Sequence, residues 1–237
     1  MMLKKQNYEF VLHTLAPVHI GSGVKATSKE FIQENGEYYF PEMDKLYLFL
    51  EKNYPESLPT LEQYLLDSGS KINKRKSRLI DFLNDQRIKK RDFGGFKIKP
   101  NNLVKNLGEV SLFIRDGLGN RYIPGSSLKG AIRTILESEY FRGKQIPWGA
   151  KSGRQFDDIF NNIRVSDSSS IEEMNFSIVQ RWNHAKGKDP KRMNIYREAL
   201  LPEQDVVFNI SVIGEEAIFL MDNLENMAEK HYLFYKE

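Results

Sequence analysis

Apolar and polar positions begin to alternate almost at once. Residues 8–15, Tyr-Glu-Phe-Val-Leu-His-Thr-Leu, predict a strand with Phe10 and Leu12 on one side and Val11, His13 and Leu15 on the other. Ala16-Pro17 breaks the period, Val18-His19-Ile20 resumes it, and Gly21-Ser22-Gly23 reads as a flexible closing loop. Residues 31–34 and 37–40 flank Asn35-Gly36, a strong hairpin signal. Helical spacing follows: Leu46, Leu48, Phe49 and Leu50 behind a capping Asp44, then 61–66 beyond Pro55 and Pro59, then Leu79, Ile80, Phe82 and Leu83.

Residues 112–116 and 121–123 form the arms of a second hairpin around Gly117-Leu-Gly119-Asn120. It delivers the chain into Tyr122-Ile-Pro-Gly-Ser-Ser-Leu-Lys-Gly-Ala-Ile-Arg-Thr134, which reads as a strand end, a Gly/Ser turn and a helix. Ser126 or Ser127 can cap that helix, and Leu128, Ala131, Ile132, Ile135 and Leu136 give it one apolar face up to about residue 142. A Gly/Lys loop at 147–154 and a helical turn at 157–160 precede a strand at 163–165 that ends in Ser166-Asp167-Ser168. Residues 177–182 and 193–197 are the arms of a long hairpin, 203–212 a strand, and 215–234 one amphipathic helix with Ile218, Met221, Leu224, Ala228 and Tyr232 on a side. Strands joined by hairpins and alternating with helices predict an α+β, ferredoxin-like (split βαβ) fold.

Composition narrows the picture. With 237 residues, 40% of them hydrophobic, the chain can bury one large core or two smaller ones. It has no cysteine, which excludes disulfides and thiolate metal sites and fits a reducing cytoplasm. No apolar run is long enough to cross a membrane. The net charge of +3 is unevenly spread: residues 71–105 carry twelve Lys/Arg against three Asp, and 203–237 eight Asp/Glu against two Lys. Such asymmetry implies a basic surface for a polyanion and an acidic region facing solvent or a basic partner.

The start of the helix near residue 125 combines free N–H groups, two hydroxyls, and the cations Lys129 and Arg133 one turn apart. That set suits a phosphate, although most Gly-Ser turns bind nothing. Lys129 precedes Gly130, so there is no Walker A loop, and Gly125 with Gly130 does not make a dinucleotide fingerprint. In 92–100 the rings of Phe93 and Phe96 alternate with cations; they can stack on bases or anchor the loop, and anchoring is the simpler reading. The tip of the long hairpin holds His184, Lys186, Lys188, Lys191 and Arg192 against one Asp. An arm of that kind has little core of its own and is placed to reach a partner.

Residues 123–133 resemble the signature helix start of the RAMP (repeat-associated mysterious protein) superfamily of CRISPR systems, and 14–23 its first strand and loop. Lys29-Glu-Phe-Ile32, Ile163-Arg-Val-Ser-Asp167 and Tyr196-Arg-Glu198 narrow the resemblance to the Csm-type head subunit of the type III-A effector complex. The resemblance implies an RRM-like fold with insertions and a β-hairpin thumb. Residues 1–170 would form the N-terminal domain, with a helical and basic insertion at about 41–110. Residues 171–237 would hold the thumb and the start of a second half, incomplete or absent in this chain.

The resemblance further implies a non-catalytic subunit at the 3′ end of a guide (CRISPR) RNA, supporting guide maturation, with complementary target RNA, a RAMP backbone subunit and a small subunit as partners. Its RNA-binding residues would be His19, Gly21, Ser22, Gly23, Lys25, Arg115, Gly125, Ser126, Ser127, Lys129, Arg133 and Ser166, with Arg181, Trp182, Lys186, Lys188, Lys191 and Arg192 in the thumb. No cofactor or metal is expected. RNA-cutting relatives carry an Asp after the first strand, whereas between Gly21 and Ile32 the only carboxylate here is Glu30. The alternative is a metal-independent RNA endonuclease using His13 or His19.

Overall fold

A computed structural model describes residues 4–66, 78–89, 91–101, 107–142, 159–185 and 187–236. The Gly/Lys loop at 147–154, most of the basic stretch 71–78 and Lys186 lie outside these residues. The chain forms two compact units, one of residues 1–13, 122–171 and 204–237, the other of 14–121 and 172–203.

In the first unit, β1 (Lys5–His13) pairs antiparallel with a strand at Asp205–Ile213, which pairs antiparallel with one at Ile163–Val165. Period-two burial gives this sheet two chemically different sides. Val206, Phe208, Ile210 and Val212 are buried, while Lys5, Asn7, Glu9 and Asn209 are exposed. A helix at Gly125–Glu139 buries Leu128, Ile132 and Leu136, close to the predicted stripe. The single helix expected over 215–234 is two helices, Glu215–Asp222 and Leu224–Lys236. The first closes at Asn223, whose side chain donates to the Phe219 carbonyl and whose backbone N–H bonds Phe219 and Met221. Of the expected apolar face, Ile218, Met221 and Leu224 are buried, but Tyr232 is 55% exposed.

The second unit holds two sheets. β2 (Gly21–Thr27) and β6 (Glu109–Phe113) are antiparallel, β6 runs parallel to β9 (Lys191–Leu200), and β9 is antiparallel to β8 (Phe176–Asn183). The other sheet is β3 (Ile32–Glu34), β4 (Glu37–Phe40) and β5 (Phe96–Ile98). Asn35 (φ 50°) and Gly36 (φ 81°) are both left-handed, as the expected Asn-Gly turn requires. Beside them, α1 (Met43–Asn53), α2 (Leu58–Leu66) and α3 (Leu79–Asp85) bury Leu46, Leu50, Leu61, Leu79, Phe82 and Leu83 in one core. Asp44 is not the cap of α1; it lies within the first turn, after Glu42. In chain order, β7 is the strand Ile163–Val165, β10 is Asp205–Ile213, α4 is Gly125–Glu139, α5 is Glu215–Asp222 and α6 is Leu224–Lys236.

Candidate nucleic-acid interface

Gly21-Ser22-Gly23 is not a free loop. It is the opening of β2, paired through Gly21 with Phe113, and the register shifts before Lys25 meets Ser111. Such an irregularity re-aims the strand without ending it. Gly23 sits at φ 83°, where a side chain would strain the backbone, and the Ser22 hydroxyl donates to the Leu112 carbonyl. Gly21 to Lys25 are all exposed, so backbone is presented to solvent over five residues. Lys25 is paired with Glu109 at 2.9 Å.

Behind this segment lies a buried charge centre that sequence reasoning did not identify. Glu198, on β9, is fully buried, and its carboxylate accepts from the Phe113 N–H (2.8 Å), Arg115 (2.8 and 3.0 Å) and Arg121. The Arg115 guanidinium stacks on the Phe96 ring at 4.1 Å; that of Arg121 lies 4.8 Å from Phe96 and 5.0 Å from Phe176. Desolvation lowers the Arg115 pKa from its ordinary value, opposed by Glu198. A carboxylate without water needs its lone pairs filled by charged donors, and this one has them. The Glu198 carbonyl also takes the His19 ring at Nδ1, 2.6 Å away. Arg115, expected on RNA, is thus largely turned inward. Phe93 is 4% exposed and Phe96 lies between arginines, so the two rings anchor the loop.

β8 and β9 run from that core outward. Phe176, Ser177 and Ile178 are buried beside Glu198, Ala199 and Leu200, whereas every described residue from Arg181 to Arg192 is exposed. Trp182 faces Arg192 across the ladder, and the guanidinium lies 4.9 Å from the indole ring, which stays 44% exposed. Lys188 and Lys191, with Gly187 and Asp189, border a shallow depression at the tip. These side chains form the expected basic arm.

The start of α4 departs from expectation. Pro124 precedes the first turn and no side chain of the neighbouring sequence caps it; Ser126 and Ser127 are exposed residues inside the helix. The Gly125 N–H instead donates to Asp167 Oδ1 at 2.8 Å, and a Cβ on Gly125 would collide with the carbonyl oxygens of Val165 and Ser166. The carboxylate therefore takes up part of the positive helix end, and any anion here must share it. The Ser126 and Ser127 hydroxyls are exposed on the same first turn, and Lys129 follows on the next. Arg133 bonds Glu137 at 2.7 Å and lies 4.5 Å over the Phe160 ring. The Ser166 hydroxyl accepts from the Asn209 N–H and donates to the Asp167 carbonyl.

A family model described as the RAMP superfamily matches residues 11–232. A protein of Streptococcus thermophilus described as CRISPR system Cms protein Csm5 is 41% identical over 98% of this chain and 71% of its own length. One of the same description from Enterococcus italicus is 27% identical, over 96% of this chain and 65% of its own length. The chain belongs to the RAMP superfamily, in its Csm5 family. Among solved structures, Csm5 of T. onnurineus matches 91% of this RAMP chain and 70% of its own, with a TM-score of 0.58 at 18% identity. A chain of a Csm–crRNA–target RNA ternary complex matches 86% and 63%, with a TM-score of 0.60 at 18% identity. The mixed α/β RAMP-type fold expected from the motifs is the fold found.

The motifs that carried the resemblance have structural work in this RAMP chain. Asp167 caps the helix that begins at Gly125, so two of the matched segments meet. Lys29 donates to the carbonyls of Tyr64 and Leu65 at the end of α2 (2.6 and 3.2 Å), Phe31 and Ile32 are buried, and Glu198 holds two arginines. Among the described residues no His, Asp and Glu group could hold a metal ion, and no helix is long and apolar enough to cross a membrane.

Proposed function

We propose that this chain is a non-catalytic, guide-RNA-binding subunit of a type III-A Csm complex, seated at the guide's 3′ end and supporting its maturation and target RNA binding in antiviral defence. Its partners are the guide, complementary target RNA, a neighbouring RAMP backbone subunit and a small subunit. The carrying observation is the β8–β9 arm, an exposed row of Arg181, Trp182, Lys188, Lys191 and Arg192 in a chain of the Csm5 family. Cations and a half-exposed indole bind phosphates and stacked bases with little sequence preference. Gly21, Ser22 and Gly23 add open backbone, His19 an imidazole edge beside it, and Gly125, Ser126, Ser127, Lys129 and Ser166 a second polar surface. Lys25, Arg115 and Arg133 contribute a reduced field because each already faces a carboxylate.

The order β1–β10–β7 supports a ferredoxin-like arrangement in the first unit. Leaving out the elements of the second unit that intervene, β1, α4, β7, β10 and α5 give the order βαββα with an antiparallel sheet. On this reading residues 1–170, with the insertion at about 41–110, supply most of the N-terminal domain, and 171–237 bring the thumb and the elements that complete that domain. β10 and α5 group with β1 and α4, which supports reading them as the completion of the first ferredoxin-like half.

Three contacts hold the residues weighed for the nuclease alternative, without deciding between binding and cutting. His13 Nδ1 is engaged by Asp205 at 2.7 Å, His19 Nδ1 by the Glu198 carbonyl, and Glu30 accepts from the Thr27 N–H and hydroxyl. The test is crosslinking in the reconstituted complex: the guide's 3′ portion should attach to the β8–β9 arm and the Gly21–Gly23 segment. Crosslinks confined to the guide's 5′ end would contradict the proposal. Cleavage of guide precursor by the purified chain, abolished by His19→Ala, would establish the nuclease instead.

A further inference from the structure

The exposed side of the β1–β10–β7 sheet carries a chemistry that shares only Ser166 with the guide-binding surfaces above. Asn7, Ser211 and Arg164 stand directly across from one another on three strands. The Ser211 hydroxyl donates to Asn7 Oδ1 at 2.7 Å. Lys5, Arg164, Ser166, Asn209 and Ser211 line an open depression of about 350 Å³. Lys5 and Arg164 are exposed, and their side chains make no ion pair or hydrogen bond among the described residues. Glu9, across from Asn209, brings an opposing charge to the same side of the sheet.

We infer that this sheet face is a phosphodiester-binding surface for single-stranded RNA, with Lys5 and Arg164 as the charged contacts and Asn7, Asn209 and Ser211 as neutral hydrogen-bonding groups. Two cations lining an open depression, beside the apolar Val165 and Ile213, fit the phosphates of a polyanion. Buried arginines such as Arg121 have their carboxylate already; these two have none among the described residues. Continuity with α4 gives the strand a path. Ser166, which follows β7, lines the depression, and its carbonyl packs against Gly125, where α4 begins with exposed Ser126 and Ser127. The inference rests on the guide-RNA reading and extends it: RNA leaving the start of α4 continues over the open sheet.

The test is binding of a labelled single-stranded RNA to the full chain, followed by anisotropy across a salt series. The double variant Lys5→Ala, Arg164→Ala should bind about tenfold more weakly at low salt and lose about 1.4 from the salt slope, two phosphates at about 0.7 each. Its thermal unfolding should match the parent, because both side chains are exposed. A parallel variant, Ser126→Ala, Ser127→Ala, Lys129→Ala, separates the two claims. If that variant weakens binding while the sheet variant leaves affinity and slope unchanged, the sheet-face site is overturned and the guide-RNA reading stands. If neither variant nor loss of the arm cations changes affinity, the guide-RNA reading itself falls. Impaired assembly of the sheet variant with other subunits, at unaltered RNA affinity, would overturn the RNA site and give the face to a protein.

Discussion

Two arginine-bearing regions of the same unit behave in opposite ways. At the base of β9, Arg115 and Arg121 are folded inward onto one buried carboxylate and between phenylalanine rings. Toward the other end of the same strand, Arg192 and Lys191 face solvent, with Arg181 and Lys188 beside them. Both regions read as basic in the sequence. Only the second has charge left for a polyanion, because an arginine already matched to a desolvated carboxylate has little field to offer outside. Burial and partner decide the role, not residue type.

The sharpest way to break that contrast is Glu198→Ala. It leaves Arg115 and Arg121 without their counter-charge and should cost about 3–5 kcal/mol of unfolding free energy in denaturant titration. A loss near zero would show that the centre is not structural. Gly125→Ala tests the other architectural motif: its Cβ meets two backbone carbonyls that cannot swing aside, so about 1–3 kcal/mol should be lost on thermal unfolding. On the outward side, Trp182→Ala should weaken single-stranded RNA binding about tenfold with unchanged stability, the usual scale for one stacked base. The smallest effect belongs to Tyr8, whose hydroxyl donates to Asp222 at 2.7 Å. Burial, and then Asp222, raise its pKa above the usual 10, so the folded state favours the neutral phenol. That stability is present below about pH 10 and is lost as pH rises beyond it. Tyr8→Phe should lower stability by about 1 kcal/mol at neutral pH and make the alkaline decline shallower.

Much of the fold is legible in the chain because local signals and long-range packing agree. Asn35-Gly36 permits one kind of turn, and the 3.6-residue spacing from Leu128 to Leu136 admits one apolar face. Failures occur where the deciding partner is distant in sequence. Ser126 and Ser127 look like caps, but Asp167, 42 residues beyond Gly125, holds the Gly125 N–H. Gly21-Ser22-Gly23 looks like a loop, but Phe113 supplies its strand partner. Asn223 gave no proline or glycine to mark the break between α5 and α6. Glu198 was visible only as part of a short motif: a glutamate in a strand reads as exposed, and nothing local reveals that two arginines and a backbone N–H converge on it. The arm was easier, because a basic hairpin tip cannot be buried and must face outward.

The decisive measurement is the salt dependence of RNA binding by the chain with Arg181, Lys188, Lys191 and Arg192 all changed to Ala. If the outward cations hold the guide, affinity falls steeply at low salt and the slope of log affinity against log salt drops by about 3, four phosphates at about 0.7 each, while the unfolding temperature stays put. An unchanged slope with unchanged affinity would contradict the arm's role in RNA binding.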